Sequence, residues 1–399
     1  MGAHDVLIVG AGPAGSIAGL ILARAGVRVR LADRATFPRD KLCGDTINPG
    51  ALARLRALGV SDEIERRGLR VGGMIVTGER GVSVEGRYPR GLSGVAILRR
   101  DLDSILLQHA VSAGCAFETN VNVSGPRVVD GRVIGVSVGP ATIAAPVTIA
   151  ADGRRSTIAF GLGLARHPVR PRRWAIGAYF DRVRLESDPG QTGVRLGSDW
   201  GQTGVRLGSD SSRTLGEMHV RRNCYIGVAP VGQNLTNVCL VRPSQPADAD
   251  LRDPAALLTR ELARDPWLGD RFADARMIAK PVVLGPLAVD AVPGSFDGLI
   301  LAGDAAGFVD PMTGDGLRFA IRGAELAAAA ALDALAHGWT GVHARLAAAR
   351  RGEFSRKQQF NRALRRLVAS PRAIDLAALG SRVAPFVMRR VIARAGDCG

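Results

Sequence analysis

A chain of 399 residues is about two to three times the size of a typical domain of ~100–200 residues, so more than one structural unit and a large buried core are expected. Hydrophobic residues make up 46% of it and charged residues 23%, with 50 glycines, which excludes a disordered chain, a coiled coil and a small disulfide-stapled scaffold. The net charge is +16, of which the segment from Gly341 to the C-terminus supplies +10 through 13 basic and 3 acidic residues. This local basic surface could face phosphates, an anionic membrane, an acidic partner or water, and no nucleic-acid partner is expected.

The cysteine pattern and the N-terminal segment indicate where in the cell the protein is expected. The five cysteines form no CxxC pair, so neither a disulfide framework nor a zinc site is expected, and no metal is assigned. Asp5 precedes the first apolar run, no basic segment comes before it, and no stretch reaches the ~20 apolar residues that span a bilayer. The expectation is a cytoplasmic protein that is at most peripheral to a membrane.

The first elements in chain order form a βαβ unit. Residues 5–10 read as a buried strand, residues 15–25 as an apolar helix and residues 27–33 as a second strand. The same patterns predict helices over 49–58, 62–67 and 101–114, and strands over 69–84, 94–98, 116–123, 127–138 and 147–151. Longer alternating strands such as 174–183 and 224–228 follow. From a buried strand at 299–303 the chain is predicted to be helical to its end.

The turn of the βαβ unit reads Gly10-Ala-Gly12-Pro13-Ala14-Gly15, a dinucleotide-binding fingerprint between a strand and a helix. Gly10 permits the tight turn, Gly12 lets the backbone approach a pyrophosphate, and Gly15 lets the helix pack close to the sheet. The helix N-terminus then offers free N–H groups to the phosphates. Asp33, at the end of the second strand, is placed to accept hydrogen bonds from a ribose. On spacing alone, NAD and FAD both remain open.

Downstream segments favour a flavin. Residues 300–316 read as a strand, the pair Gly303-Asp304 at its end, a turn containing Pro311, and the start of a helix. Asp304 is placed to accept a hydrogen bond from a ribityl hydroxyl. The turn Gly314-Asp315-Gly316 would present backbone N–H groups to the N1/O2 side of a reduced flavin. A third segment places Asp152-Gly153 after another strand.

Together these segments resemble the FAD-dependent oxidoreductases of the p-hydroxybenzoate hydroxylase fold, over most of the chain. The resemblance implies an α/β protein with a Rossmann-like FAD-binding domain in two parts (1–163 and 285–330), an inserted antiparallel substrate-side sheet (164–284) and a helical basic C-terminal region (331–399). Arg99 matches the family arginine that contacts the cofactor, although Arg100 leaves the register open. The residues that the resemblance assigns to cofactor binding are Gly10, Gly12, Pro13, Ala14, Gly15, Asp33, Arg34, Arg39, Cys43, Gly44, Arg99, Asp152, Gly153, Gly303, Asp304, Pro311, Gly314, Asp315 and Gly316.

Within that fold, the run Lys41-Leu-Cys43-Gly44 is similar to the geranylgeranyl reductase family and its halogenase and hydroxylase relatives. The similarity places Cys43 near the flavin ring as the candidate catalytic residue, and Lys41 and Arg39 could favour a thiolate or an anionic substrate. The alternative is that Cys43 is a small buried hydrophobe in a turn. Reductases of that family carry a YxWxFP-like strand, whereas residues 225–230 lack the Trp and Phe, and the halogenase WxWxIP signature is absent.

The expected function is that of an FAD-dependent oxidoreductase that takes electrons from NADPH or NADH. A monooxygenase acting on a bulky hydrophobic or phenolic small molecule is favoured, because residues 225–230 lack the aromatic side chains of a polyprenyl tunnel. A reductase of carbon–carbon double bonds in an isoprenoid or lipid and a non-catalytic flavin-binding scaffold are the alternatives. The substrate and the oligomeric state stay open.

Two further features lie outside these motifs. Residues 190–199 are repeated without change as 201–210, which predicts a surface hairpin or loop with no chemistry. Residues 354–368 and 373–393 have basic amphipathic helical patterns. Such helices either lie on a membrane surface or pack their apolar faces on the domain.

Overall fold

The computed structural model describes residues 4–78, 83–169, 173–184, 214–232, 234–243, 249–308, 312, 314–368, 390–391 and 393–398. Its strands in chain order are β1 (Val6–Val9), β2 (Val29–Ala32), β3 (Thr46–Ile47), β4 (Leu69–Thr77), β5 (Ser83–Arg87), β6 (Gly94–Ala96), β7 (Ala116–Glu118), β8 (Gly125–Val129), β9 (Arg132–Val138), β10 (Ala141–Ala144), β11 (Val147–Ala150), β12 (Ala165–Arg166), β13 (Arg173–Asp181), β14 (Thr214–Arg221), β15 (Cys224–Gly232), β16 (Leu235–Pro243), β17 (Arg276–Met277), β18 (Val282–Leu284), β19 (Asp290–Ala291) and β20 (Leu299–Leu301). Its helices are α1 (Pro13–Arg24), α2 (Pro49–Ala57), α3 (Asp62–Arg67), α4 (Arg99–Ser112), α5 (Thr157–Gly161), α6 (Pro254–Arg264), α7 (Gly316–His337) and α8 (Val342–Val368).

A parallel sheet with the strand order β20-β11-β1-β2-β7 forms the nucleotide-binding part. Its central strands β1 and β11 are buried throughout, as is typical of parallel strands covered on both faces. Ile8 of β1 packs in the largest hydrophobic cluster with Ile17 of α1, Leu106 of α4 and Ile321 of α7. This core fixes the carboxyl ends of β1, β11 and β20, where the predicted motifs lie.

A second, larger sheet forms the predicted substrate side. Its main path is β17-β13-β16-β15-β14-β4-β6-β3, with β18 on β13 and β5 on β4. The pairs are antiparallel except that β14 lies parallel to β4. One face packs against α6 through residues such as Ile176, Val238 and Leu258. The opposite face carries Tyr179 and Asn237, which reach the turn that contains Cys43 and Asp45.

The predicted α/β class, with a Rossmann-like region and antiparallel sheets, is confirmed. The large sheet also takes β3, β4, β5 and β6 from residues that the predicted boundaries gave to the first FAD-binding part. The domain boundaries themselves stay a prediction. Within the described ranges, no helix is long and apolar enough to cross a membrane.

Several predicted elements differ in detail from the structure. The predicted strand at 127–138 is a hairpin of β8 and β9, because Asp130 and Gly131 both have positive φ (48° and 73°), the geometry of a tight turn that Asp-Gly favours. The predicted strand at 69–84 is divided between β4 and β5. The repeated segment, Pro311 and most of the predicted helix at 373–393 lie outside the described residues.

Candidate active site

The glycine-rich turn after β1 has the close packing that its sequence predicts. A Cβ on Gly10 would lie 2.5 Å from the carbonyl oxygen of Ala151, and one on Gly15 would lie 1.8 Å from the carbonyl oxygen of Gly10. Neither position therefore accepts a side chain. Gly12 faces the Arg39 guanidinium, whose Nη2 would lie 3.4 Å from an added Cβ. Helix α1 begins at Pro13 with no side-chain cap, so its first N–H groups are free of a side-chain acceptor.

Asp33 holds this turn in place from the end of β2. Its carboxylate accepts hydrogen bonds from the backbone N–H of Ala11 at 2.7 Å and of Ala35 at 2.8 Å. The predicted ribose contact of Asp33 stays a prediction. Arg34, next along the chain, is exposed.

Basic side chains surround the cleft beside the turn. Arg99 is buried and forms two hydrogen bonds with Asp103, at 2.8 and 2.9 Å, and Arg39 pairs with the same carboxylate at 3.1 Å. Arg100 is about half exposed, with Asp40 3.8 Å away. The structure therefore brings Arg99 into the site and leaves Arg100 at the surface.

Lys41 lies in the wall of this cleft. Its side chain is exposed, yet the surrounding protein lowers the pKa of the ammonium by desolvation, and Arg99 lowers it further. No ion pair joins Lys41 to a carboxylate within the part of the chain that the structure describes; Asp304 and Asp103 act on it only at longer range. An ammonium in this position is suited to an anionic group that enters the cleft.

The three predicted motifs converge on Lys41. Gly303 (φ 60°) packs against Ala14 of the glycine-rich turn, and Asp304 follows it in a short 3-10 turn. Burial raises the pKa of Asp304, against the opposing effects of Lys41, Arg99 and Arg154. Gly153 (φ 85°) lies so that an added Cβ would be 4.0 Å from Lys41 Nζ. Residues far apart in sequence thus form one cleft.

A second cluster lies under Cys43 and was not predicted from the sequence. The side-chain amide of Asn237 donates to the carbonyl oxygen of Cys43 at 2.7 Å and to Asp45 Oδ2 at 2.6 Å. The Tyr179 hydroxyl also donates to Asp45 Oδ2 at 2.6 Å, and the backbone N–H of Arg99 donates to Oδ1 at 3.2 Å. The Cys43 thiol itself interacts with Arg99. The turn that carries Cys43 is therefore held from three elements.

Asp45 is buried, and burial raises its pKa from 3.8 to about 6 although Tyr179 and Asn237 favour the charged form. The Asp45 carboxylate raises the pKa of Tyr179 in turn, in addition to burial. The only sequence signal for this pair was the position of Asp45 directly after the Cys43-Gly44 motif. Its two partners come from β13 and β16, which sequence reasoning could not pair with that turn.

The sheet face that carries Tyr179 and Asn237 has small residues at several neighbouring positions. In register across β13, β16 and β15, Gly177 faces Cys239, and Cys239 faces Gly227. Ala229 lies beside Asn237 in the same way. Cys239, Gly227 and Ala229 are only partly buried. This face is called here the small-residue face. The Leu42 side chain packs on it at Gly177, where an added Cβ would lie 2.0 Å from Leu42 Cδ1, whereas at Gly227 the nearest atom to an added Cβ is 3.9 Å away.

The turn before α7 is held by its acidic residue. Asp315 is buried, and its carboxylate lies 3.2 Å from Lys357 Nζ and accepts hydrogen bonds from Asn48 at 3.1 Å and Asn361 at 2.9 Å. The side chain thus ties α7 to α2 and α8. The neighbouring Gly314 has a φ of 65°. The predicted contacts of this turn with a flavin stay a prediction.

These residues fit an FAD cofactor. At Gly10 and Gly15 the turn has no room for a side chain, whereas Gly12 leaves open space toward Arg39. The cleft beside the turn is lined by Arg39, Lys41, Arg99 and Arg154 around Asp304. Such a basic cleft suits a pyrophosphate, and the part-buried Asp304 carboxyl suits a polyol. In the ranges that the structure describes, no group of three or more His, Cys, Asp or Glu residues could hold a metal ion.

The fold and this cleft are those of flavin-dependent oxidoreductases. The family model described as FAD binding domain matches residues 3–237, and the chain belongs to this family. The resemblance to FAD-dependent oxidoreductases inferred from the motifs is confirmed.

Similar proteins include reductases and halogenases. The chain is 31% identical over 337 residues to menaquinone reductase of Mycobacterium tuberculosis, covering 81% of this chain and 75% of the relative. It is 28% identical over 341 residues to digeranylgeranylglycerophospholipid reductase 2 of Methanopyrus kandleri, covering 83% of this chain and 77% of the relative. Among solved structures, the flavin-dependent brominase Bmp2 aligns with a TM-score of 0.82 at 20% identity, over 100% of this chain and 94% of that one; at this identity the likeness concerns the fold.

Proposed function

We propose that the protein is an FAD-dependent reductase that saturates a carbon–carbon double bond in an isoprenoid carried by a quinone or lipid, with NADPH or NADH as electron donor. Bound FAD supplies the hydride for such a reduction. The protein has to bind an apolar chain, exclude water and hold a proton for the second carbon of the double bond.

The observation that carries the proposal is the Asp45–Tyr179 pair under Cys43, next to the small-residue face. With a pKa raised to about 6, Asp45 holds a proton over part of the physiological range, and Tyr179 shares a 2.6 Å hydrogen bond with it. A double-bond reduction needs such a proton in a site that excludes water. The small-residue face beside the pair supplies the surface on which an isoprenoid chain would lie.

The relatives support the same chemistry. Menaquinone reductase and digeranylgeranylglycerophospholipid reductases are reductases by name, and the chain covers most of their lengths. Cys43 and Lys41 then line the site as the resemblance to the geranylgeranyl reductase family implies, with Arg99 beside the thiol.

A monooxygenase acting on a bulky hydrophobic or phenolic molecule is the second candidate. It is favoured by β15, where residues 225–230 lack the Trp and Phe of the reductase signature. Gly227 and Ala229 lie on the small-residue face, so the wall is wider there than bulky aromatic side chains would leave it.

The dependence on oxygen separates the two candidates. We expect the anaerobic enzyme, reduced with dithionite, to convert menaquinone to a product with saturated isoprenoid bonds, and air to divert electrons to peroxide. The Cys43→Ala variant should lose the product while keeping FAD. A product that contains a new oxygen atom and forms only in air would refute the reductase and support the monooxygenase.

We further propose that α8 contacts membrane lipid peripherally. Arg351 and Arg356 are exposed on this helix, whereas the acidic Glu353 is turned toward α7, where it pairs with Arg318 at 3.1 Å. A surface of this sign is attracted to anionic lipid, where a quinone or lipid substrate would be found.

A further inference from the structure

A cavity of about 700 Å³ lies between α8 and the edge strand β20 of the parallel sheet. The β12–β19 pair and the 3-10 turn at 303–306 form its other walls. Of the described residues predicted to bind FAD, Gly303, Asp304 and Gly316 line it. The cavity therefore adjoins the cleft at Arg39 and Lys41 through Gly303 and Asp304, but Arg39, Lys41 and Arg99 do not line it.

Arg350 lies in the wall of this cavity and has no acidic partner among the residues that the structure describes. Its guanidinium donates to the backbone carbonyl of Leu301, and burial lowers its pKa to about 10. The residue is part-buried, and a partly desolvated guanidinium with no carboxylate beside it is stabilised when an anion enters the cavity. The arginine therefore indicates a ligand with negative charge.

The charged and the apolar residues of the cavity wall indicate which class of ligand the cavity would bind. Four arginines line the cavity, namely Arg166, Arg350, Arg351 and Arg362, against the two carboxylates Asp290 and Asp304. Arg166, Arg351 and Arg362 are exposed and Arg350 is part-buried. The wall is positive on balance, which favours an anion such as a phosphate monoester, with nearly two negative charges at neutral pH. Four phenylalanines line it as well, namely Phe296, Phe308, Phe319 and Phe354.

We propose that this cavity binds a phosphate monoester attached to an apolar or aromatic group, with the phosphate on Arg350 and the apolar group against the phenylalanines. Arginine presents a fork of donors that fits phosphate oxygens. Two sources share this chemistry: the 2′-phosphate of NADP and the headgroup of a phosphatidate. The site goes beyond the proposed reductase activity, and binding to it can be measured without turnover.

The test is calorimetric titration of the FAD-loaded full chain with NADP⁺, with dihexanoyl phosphatidate and with sodium phosphate. We expect one of the two esters to bind, and Arg350→Gln to weaken that binding at least tenfold. Arg345→Gln is the matched control, because Arg345 lies on the same helix and pairs with Asp333 but does not line the cavity. Binding of NADP⁺ alone would identify the nucleotide as the source, and binding of the phosphatidate alone would identify the lipid.

A second pair of variants keeps the test independent of Arg350. Ala347 lines the cavity, so Ala347→Phe should fill it and abolish ester binding, whereas Ala348→Phe, at an exposed position on the same helix, should not. Three results would overturn the proposal: no ester binds, the Ala347 and Ala348 variants bind equally, or sodium phosphate binds as tightly as the esters, which would mean an adventitious ion only.

Discussion

Replacing Asp45 by Asn removes a buried charge and keeps the shape of the side chain. The pKa of Asp45 is raised from 3.8 to about 6, which means that the ionised carboxylate opposes folding by about 3 kcal/mol at neutral pH. Because the folded pKa lies above the unfolded one, the wild type gains stability as the pH falls through 6 toward 3.8. The Asn side chain does not titrate. Its oxygen can still accept hydrogen bonds from Tyr179 and Asn237.

The assay is urea unfolding of the FAD-loaded wild type and the Asp45→Asn variant across pH. Between about pH 8 and about pH 4.5, the difference in free energy of unfolding should shift by about 2 kcal/mol in favour of the wild type. Asp40→Asn serves as the control, because the Asp40 side chain is 81% exposed, and it should show no such shift. A difference that stays constant with pH for Asp45→Asn would refute the buried, raised-pKa description of this acid.

Three other predictions follow from the geometry. Gly12→Val should abolish FAD uptake, because the valine side chain would fill the space between the turn and Arg39. The flavin absorbance of the purified protein measures this uptake, and a stoichiometric FAD complex of the variant would contradict the prediction. Arg271→Met should lower the free energy of unfolding by about 3–5 kcal/mol, since Arg271 forms two 2.7 Å hydrogen bonds with the buried Glu217. Urea unfolding of the variant and the wild type measures this loss. A loss under about 1 kcal/mol, the size expected for an exposed ion pair, would argue against a buried pair. Replacing Arg351 and Arg356 by Gln should weaken co-sedimentation with anionic vesicles by roughly 1 kcal/mol per residue; equal sedimentation with neutral vesicles would remove the membrane proposal.

The nucleotide-binding half of the fold could be predicted because its signals are local. The βαβ unit, the Gly10–Gly15 turn and the helix at 62–67 follow from periodicity and from glycines that leave no room for a side chain. The sequence also placed Asp304 at the end of a strand, and β20 ends just before it.

The substrate side could be predicted only in outline because its pairing is long-range. Strands β4 and β14 lie parallel although more than a hundred residues separate them, and no sequence pattern sets that register. The Asp45 cluster depends on the same pairing, since Tyr179 and Asn237 reach Asp45 only once β13 and β16 are aligned. Arg350 cannot be distinguished by sequence from the other arginines of the basic C-terminal region, because only the packing of α8 over β20 brings it to the cavity.

The proposed function requires that electrons from reduced FAD would saturate an isoprenoid double bond, with the proton held at the Asp45–Tyr179 pair. The direct measurement is the flavin absorbance of anaerobic, dithionite-reduced protein after menaquinone is added in the absence of excess reductant. We predict that the oxidised flavin spectrum returns without oxygen, with one double bond saturated per flavin, and that Tyr179→Phe slows this return while FAD stays bound. A flavin that remains reduced until air is admitted would contradict the account, and so would a flavin that reoxidises while the quinone ring is reduced to the quinol and no saturated product forms.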